Sequence, residues 1–277
     1  MQIKKIYNNN IAMVKNDQGD EVILVGKGIV FGLKKGDEIQ ADKAEKKFEL
    51  KGEAKHKFEK MIQDTPIDYI LISEEIIAYF KEHSFKTLDD GIYVTLTDHI
   101  ANTIERIRMG IDFDMAMLLN VKSLYREEYK LALHAIKMLR NAFHLHIDDN
   151  EANFITLHIV NAEFKSNMME IYTITAILDQ INMIVNQYFE IDIQDNYDYD
   201  RFTTHCRFFV QRVVNDEYLE KRPFANMEIY QIMKQQSPRQ YDCINEIADM
   251  MKKKYNYEVN DEEKLYLLIH LNKLTNK

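Results

Sequence analysis

The sequence has few cysteines, prolines and glycines, and each shortage narrows what the chain can be. Two cysteines, Cys206 and Cys243, are too few for a disulfide framework and lack the Cys-x-x-Cys spacing of a metal site. They favour a reducing, cytoplasmic setting. Three prolines and eight glycines in 277 residues favour long helices with short loops and disfavour an all-β fold.

Long apolar runs are also missing. No stretch approaches the ~18 apolar residues that cross a membrane, and the N-terminus reaches Asn8, Asn9 and Asn10 without the apolar core of a signal peptide. We therefore expect no membrane insertion. A hydrophobic share of 46% is ordinary for a folded protein, so the chain can bury a core and hold two or three domains.

Charge is distributed unevenly along the chain. Residues 1–55 carry a net charge of +2, whereas the remainder carries −11 of the total of −9. The N-terminal segment can therefore tolerate a polyanion, and the acidic remainder would repel one.

The composition and pattern of the N-terminal segment predict a small antiparallel β module. It holds most of the glycines and five short β-prone runs, at residues 3–7, 11–14, 21–25, 29–31 and 47–50. The tetrapeptide N-D-Q-G at residues 16–19 predicts a hairpin turn. Because four or five short strands bury only a marginal core, we expect this module to dimerise.

From residue 55 onward the pattern is helical. The charged run K-H-K-F-E-K at residues 55–60 predicts a helical linker. Thr65 and Pro66 predict a helix start, with the threonine as N-cap and the proline at the first helical position. An i, i+3, i+4, i+7 apolar stripe from Ile174 to Tyr188 predicts a long amphipathic helix.

The helical part contains an internal repeat. Residues 150–161 and 260–272 each place a glutamate seven residues, and an aromatic four residues, before a histidine. A shift of 112 residues superposes these segments, and a shift of 106 superposes L-T-D-H on F-T-T-H. We predict two copies of one all-helical domain. The equivalent side chains are His99 and His205, His158 and His270, and Arg106 and Arg212.

Two histidines in each copy are compatible with several roles. A packing histidine is one, and a metal site is another, although only Asp98 beside His99 suggests it and His-x-x-x-His is absent. A helical metal-dependent hydrolase using Asp98, His99 and His158 therefore stays open. The third role is acceptance of a phosphoryl group, since imidazole is nucleophilic near neutral pH; Arg106 or Arg212 would pair with the added charge.

The chemistry of the β module lies in Asn8–Asn10, in the run G-K-G-I-V-F at residues 26–31, and in nearby lysines. Amide side chains read base edges, lysines meet phosphates and an exposed Phe31 would stack on an unpaired base. Asparagine runs also form turns, and Phe31 would serve equally as a core residue. A DNA-binding or protein-binding module, attached to helical phosphorelay sensors, is thus a second alternative.

Five motifs in order resemble those of transcriptional antiterminators of the BglG/SacY family, over all 277 residues. M-Q-I-K-K-I-Y-N-N-N-I-A-M-V and G-K-G-I-V-F are similar to its co-antiterminator RNA-binding domain. L-T-D-H-I and E-A-N-F-I-T-L-H-I-V-N resemble the histidine motifs of its first PTS regulation domain. T-H-C-R-F-F-V-Q-R and E-E-K-L-Y-L-L-I-H-L resemble those of the second. Residues 66–77 look closest to the β-glucoside branch.

This resemblance implies a multidomain fold: an antiparallel all-β module at residues 1–57, then two homologous helical bundles at 58–170 and 171–277. It implies a regulator and not an enzyme, with no cofactor. A homodimer would bind an RNA hairpin in nascent mRNA and prevent a terminator from forming at sugar-utilisation genes. The RNA contacts it implies are Lys5, Asn8, Asn10, Gly26, Lys27, Gly28 and Phe31.

The resemblance also implies control by phosphorylation. The sugar-specific PTS permease (EII) would phosphorylate His99 and His158, which inhibits, and the phosphocarrier HPr would phosphorylate His205 and His270, which activates. A phosphate adds nearly two negative charges, so it would repel at an apolar interface or form a new contact beside an arginine. Cys206, which follows His205, is expected to be a small buried residue.

Overall fold

The computed structural model describes residues 1–16, 18–111, 120–191, 196–215 and 227–275. They form two compact units, one from the described residues within 1–118 and 125–167, the other from those within 119–124 and 168–277. None of the helices in these ranges is long and apolar enough to cross a membrane.

The chain begins with a four-stranded antiparallel sheet in the order β1-β2-β3-β4. Its strands are β1 (Gln2–Asn8), β2 (Ile11–Lys15), β3 (Glu21–Val25) and β4 (Lys46–Phe48). The predicted hairpin is confirmed, because Lys15 pairs with Glu21 across a turn that Asn16 closes through its side-chain oxygen. Asp17 of that turn lies outside the described residues.

The predicted strand at residues 29–31 is wrong. Phe31 N donates to Gly28 O (3.0 Å) and Ile29 N donates to Gly26 O (3.2 Å), so the segment is a series of turns. Gly28 has φ of +67°, a left-handed conformation that interrupts an extended chain and suits glycine.

The sheet is covered on both faces. One face packs with the loop after β3 through Val30 and Ile39. The other face packs Phe48 against Phe58 and Tyr93, with Phe58 fully buried. The module therefore shares its core with the helices that follow.

The first unit continues with α1 (Gly52–Met61), α2 (Ile67–His83), α3 (Ile92–Arg108), α5 (Arg126–Phe143) and α6 (Glu151–Phe164). The helix predicted at residues 55–60 is confirmed as part of α1, whose Phe58 belongs to the core. The predicted cap is wrong by one residue, because Pro66 is the N-cap of α2. Thr65 closes the preceding turn, since its amide and its hydroxyl both donate to Met61 O.

The second unit contains α4 (Val121–Leu124), α7 (Met168–Tyr188), α8 (Tyr197–Val214), α9 (Met227–Gln236), α10 (Pro238–Tyr255) and α11 (Asp261–Thr275). The predicted stripe is confirmed on α7, whose residues from Ile174 to Val185 face the core at helical spacing. The 112-residue repeat reappears at the ends of α5 and α10. There His144 and Asn256 adopt nearly the same left-handed cap, with φ of 54° and 53°.

Candidate functional sites

The β1–β2 turn and the loop after β3 are joined into one surface. Asn8 accepts from Asn10 N (2.8 Å), and the Asn10 side chain accepts from Gly28 N (2.8 Å). Gly26 N also donates to Asn10 O (2.9 Å). The asparagines thus form turns, yet no described hydrogen bond uses their side-chain NH₂ groups, which stay free to reach a base edge.

Phe31 projects from this surface. Its side chain is 78% exposed, so it is not a core residue. An exposed phenylalanine on a turn offers a flat ring face on which an unpaired base can stack. The backbone around it is tightly built, because a Cβ at Gly26 would lie 3.2 Å from Glu45 N and 3.3 Å from Lys43 O.

The two predicted lysines lie against acidic side chains of the same unit. Lys27 pairs with Asp68 of α2 at 2.9 Å, and Lys5 lies 3.9 Å from Glu59 of α1. Lys5 also lies over the ring of Tyr7, 4.4 Å from its centroid. Both lysine side chains are more than half exposed, so a polyanion can reach them but competes with these carboxylates.

Helices α3 and α6 bring His99 and His158 together, with ring centroids 4.9 Å apart. Burial, with a smaller effect from the Arg106 guanidinium, lowers the pKa of His99 to about 4. Burial and then the charge of His99 lower the pKa of His158 to about 3. Phe154 lies beside the pair, its ring centroid 5.7 Å from that of His99. Both rings are therefore neutral at pH 7.

Helices α8 and α11 bring His205 and His270 into a closer stack, with centroids 3.5 Å apart and planes at 18°. The hydroxyl of Tyr266 is hydrogen-bonded to Nδ1 of His205. Burial lowers the pKa of His270 to about 4, helped by the charges of His205, Arg201 and Lys273. The pKa of His205 is lowered too, by burial and then by Arg201. The structure thus pairs all four predicted histidines as the repeat requires.

Arg106 and Arg212 each join the two helices of a histidine pair. Arg106 forms an ion pair with Glu151, and Arg212 lies 3.9 Å from Glu263. Each arginine lies seven residues after one histidine and each glutamate seven residues before the other, so the two helices run antiparallel. The ion pair is consequently about two helical turns, or ~10 Å, from the rings.

The metal alternative finds no support. Asp98 is exposed and accepts a hydrogen bond from Asn102 (3.2 Å). Among the described residues no group of three or more His, Cys, Asp or Glu side chains could hold a metal ion. Cys206 and Cys243 are free and buried, and burial raises the pKa of both thiols, as expected for small packing residues.

Sequence reasoning passed over Arg201 and the hydrogen bond of Tyr266. The signal for Arg201 was present, since it lies four residues before His205 on the same helix. The role of Tyr266 was not readable, because the matching aromatic of the first copy, Phe154, has no hydroxyl.

The chain is similar to known proteins along its whole length. The model of the CAT RNA binding domain matches residues 1–57, and that of the PRD domain matches residues 74–162 and 177–274. Transcription antiterminator LicT of Bacillus subtilis (strain 168) is 36% identical over 276 residues, which is 99% of each chain. The beta-glucoside operon antiterminator of Dickeya chrysanthemi is 32% identical over 278 residues, 99% of this chain and 96% of that one.

A solved structure is similar to the first part of the chain. The crystal structure of GlcT CAT-PRDI matches with a TM-score of 0.51 and 35% identity, and covers 58% of this chain and 97% of that chain.

Proposed function

Because the chain belongs to the transcription antiterminators that join a CAT RNA-binding domain to two PRD domains, we propose that it controls a β-glucoside utilisation operon. It binds, as a homodimer in the cytoplasm, an RNA hairpin in the nascent transcript and so prevents a terminator hairpin. It is a regulator and not an enzyme. The combination that carries this proposal is an RNA-binding module followed by two helical units that each pair two histidine rings.

The RNA contacts we propose lie on the surface built by the β1–β2 turn and the loop after β3. Free amide NH₂ groups, an exposed aromatic and two solvent-facing lysines are the groups that read a partly unpaired hairpin. The proposed residues are Lys5, Asn8, Asn10, Gly26, Lys27, Gly28 and Phe31. The three-part division at residues 1–57, 58–170 and 171–277 is part of the same proposal.

Phe31→Ala in the full chain tests the RNA surface. Loss of one stacked base weakens binding by about tenfold or more, so a gel shift with a β-glucoside-type antiterminator hairpin should show that loss. Phe85→Ala is the matched control, since Phe85 is fully exposed and far along the chain from the surface. A wild-type chain that binds the hairpin no tighter than scrambled RNA or duplex DNA would contradict the proposal.

We further propose that the paired histidines are phosphorylation sites. The permease of the sugar phosphotransferase system modifies His99 and His158, and HPr modifies His205 and His270. Neutral rings support this assignment, because a neutral imidazole keeps the lone pair that attacks phosphorus. Arg106 and Arg212 are candidates to pair with the phosphate, although each would first leave its glutamate.

Mass spectrometry of the acid-labile phosphate locates these sites. Incubation with the general phosphotransferase enzymes should label His205 or His270, and adding the permease should label His99 or His158. The double variant His205→Ala/His270→Ala should lose the first label, while His56→Ala, at an exposed histidine of α1, should keep it. Label that survives in the double variant would refute the assignment of HPr.

A further inference from the structure

The two histidine pairs differ in how open they are. Leu157 beside His158 is 1% exposed, whereas the equivalent Ile269 beside His270 is 43% exposed. In the first pair His158 is buried and His99 partly buried, while in the second pair both His205 and His270 are only partly buried. A phosphoryl donor therefore finds two partly accessible rings in the second domain, whereas in the first the face of α6 around His158 is covered.

Arg201 stands next to the open pair. It precedes His205 by four residues on α8, one helical turn away on the same face, or ~6 Å along the axis. Its side chain is exposed, and within the described ranges no hydrogen bond or ion pair engages its guanidinium. Its charge reaches both rings, since it helps to lower the pKa of His205 and that of His270.

The other cations near this site are engaged. Arg212 faces Glu263, whose side chain is fully buried, and lies two turns from the rings. Lys273 lies 3.6 Å from Asp198. Arg207 donates to the backbone of Leu124. Arg201 is therefore the cation that can approach a new anion at His205 without breaking an existing contact.

The first domain has no counterpart. The 106-residue shift places Thr95 where the second domain has Arg201. The hydroxyl of Thr95 is buried without a hydrogen bond among the described residues, and a threonine offers no charge to a phosphate.

On the basis of the proposed function, we infer that Arg201 is the positioning residue that pairs with the phosphoryl group on the second domain and makes it the readier acceptor. With Nδ1–H of His205 donating to the hydroxyl oxygen of Tyr266, the lone pair of the ring lies on Nε2, which is the atom that attacks phosphorus. The N–P bond of a carrier phosphohistidine breaks as Nε2 of His205 bonds to phosphorus. Overall, a proton passes from Nδ1 of His205 to the released carrier imidazole. The planar guanidinium then forms a bidentate contact with two phosphate oxygens.

Arg201→Gln in the full chain tests this inference. Loss of a charge-assisted contact should slow labelling of His205 and His270 by phosphorylated HPr about tenfold, with labelling of His99 and His158 by the permease unchanged. Arg201→Lys should be labelled at a rate between those of the wild type and Arg201→Gln, because lysine keeps the charge but lacks the planar guanidinium. Lys253→Gln, the same loss of charge at an exposed position of α10, should label as the wild type does.

A second readout is independent of phosphorylation. Removal of the Arg201 charge should raise the pKa of His205 and of His270, measured by NMR titration of the ring protons, at an unchanged thermal midpoint. Equal labelling rates in Arg201→Gln and the wild type would overturn the inference and leave the proposed function standing. Absence of any label on the second domain of the wild type would overturn both.

Discussion

Burial keeps the histidines of the first domain uncharged in the folded protein. The pKa of His158 is about 3 and that of His99 about 4, whereas an unfolded histidine titrates near 6.5. Nδ1 of His158 is buried without a hydrogen bond among the described residues, so nothing offsets the cost of charging this ring. Neutrality suits a phosphoryl acceptor, but it makes the folded state sensitive to acid.

Stability should therefore fall on acidification, and His158→Gln should reduce that fall. Above pH 6.5 both states carry neutral rings and the effect is absent; below it the unfolded chain takes up protons that the folded chain refuses. The loss continues down to the folded pKa and reaches about 2 kcal/mol for one histidine at pH 5. Urea midpoints at pH 7.5, 6 and 5 measure it.

His56→Gln removes an imidazole from an exposed site and should keep the wild-type dependence on pH. A His158→Gln chain that loses as much stability in acid as the wild type would contradict the assignment of a buried neutral ring.

For single residues, the sequence predicts which histidines are equivalent in the two domains but not how exposed their neighbours are. The shifts of 112 and 106 residues predict which histidines are equivalent, and the spacing of Arg106 and Glu151 from them marks an antiparallel contact. The exposure of Ile269 and the burial of Leu157 could not be predicted, because both occupy the same position in the repeat. Exposure depends on what packs against a helix face, which is a long-range property.

The helices α1 and α2 place acidic groups beside the lysines of the proposed RNA surface. Lys27 and Asp68 form an exposed ion pair, with 65% and 61% of their side chains accessible. Exposed pairs contribute little to stability, but RNA phosphates must compete with this carboxylate. Helix α2, through Asp68, thus lowers the positive charge of the proposed RNA surface.

Asp68→Asn should strengthen binding of the hairpin a few-fold at low salt, and the gain should shrink as salt increases. Fluorescence anisotropy with the same hairpin at two salt concentrations measures both effects. Asp64→Asn is the matched control, because Asp64 is an exposed acid four residues earlier with no described ion pair. Equal gains in the two variants would show a general charge effect and not release of Lys27.

The observed helices and strands match the sequence-based predictions where a periodic pattern is long. They differ from the predictions where hydrogen bonds within turns determine the backbone conformation. The stripe of α7 and the hairpin at residues 16–19 were predictable from spacing and from turn residues. Residues 29–31 are β-prone, yet the left-handed Gly28 before them and i to i+3 hydrogen bonds fold them into turns. Thr65 likewise donates hydrogen bonds to Met61 O at the end of α1. The rule that places threonine at a helix N-cap does not consider the helix that comes before it.

On the scale of the whole molecule, the change in composition near residue 55 separates a β module from the helices. In the structure, the sheet and the helices of the first unit share one core. Phe58 of α1, Phe48 of the sheet and Tyr93 of α3 pack together, with the centroid of Phe58 4.7 Å from that of Phe48 and 6.5 Å from that of Tyr93. A sheet that is marginal alone gains its second covered face from these helices. Composition cannot reveal this, because it does not show that Tyr93 packs against Phe48 and Phe58.

Phe58→Ala should therefore destabilise the β module and the first helical domain together. Removing a fully buried phenylalanine costs about 3–5 kcal/mol, and a shared core transmits that loss to both sides. Hydrogen exchange followed by mass spectrometry should show lower protection in β2 and in α3 alike. Phe209→Ala removes an equally buried ring of α8 and should lower protection in the second unit while β2 is unchanged. Loss confined to α1 in Phe58→Ala would mean that the module folds on its own, so that signals from the helical domains reach the RNA surface by some route other than a common core.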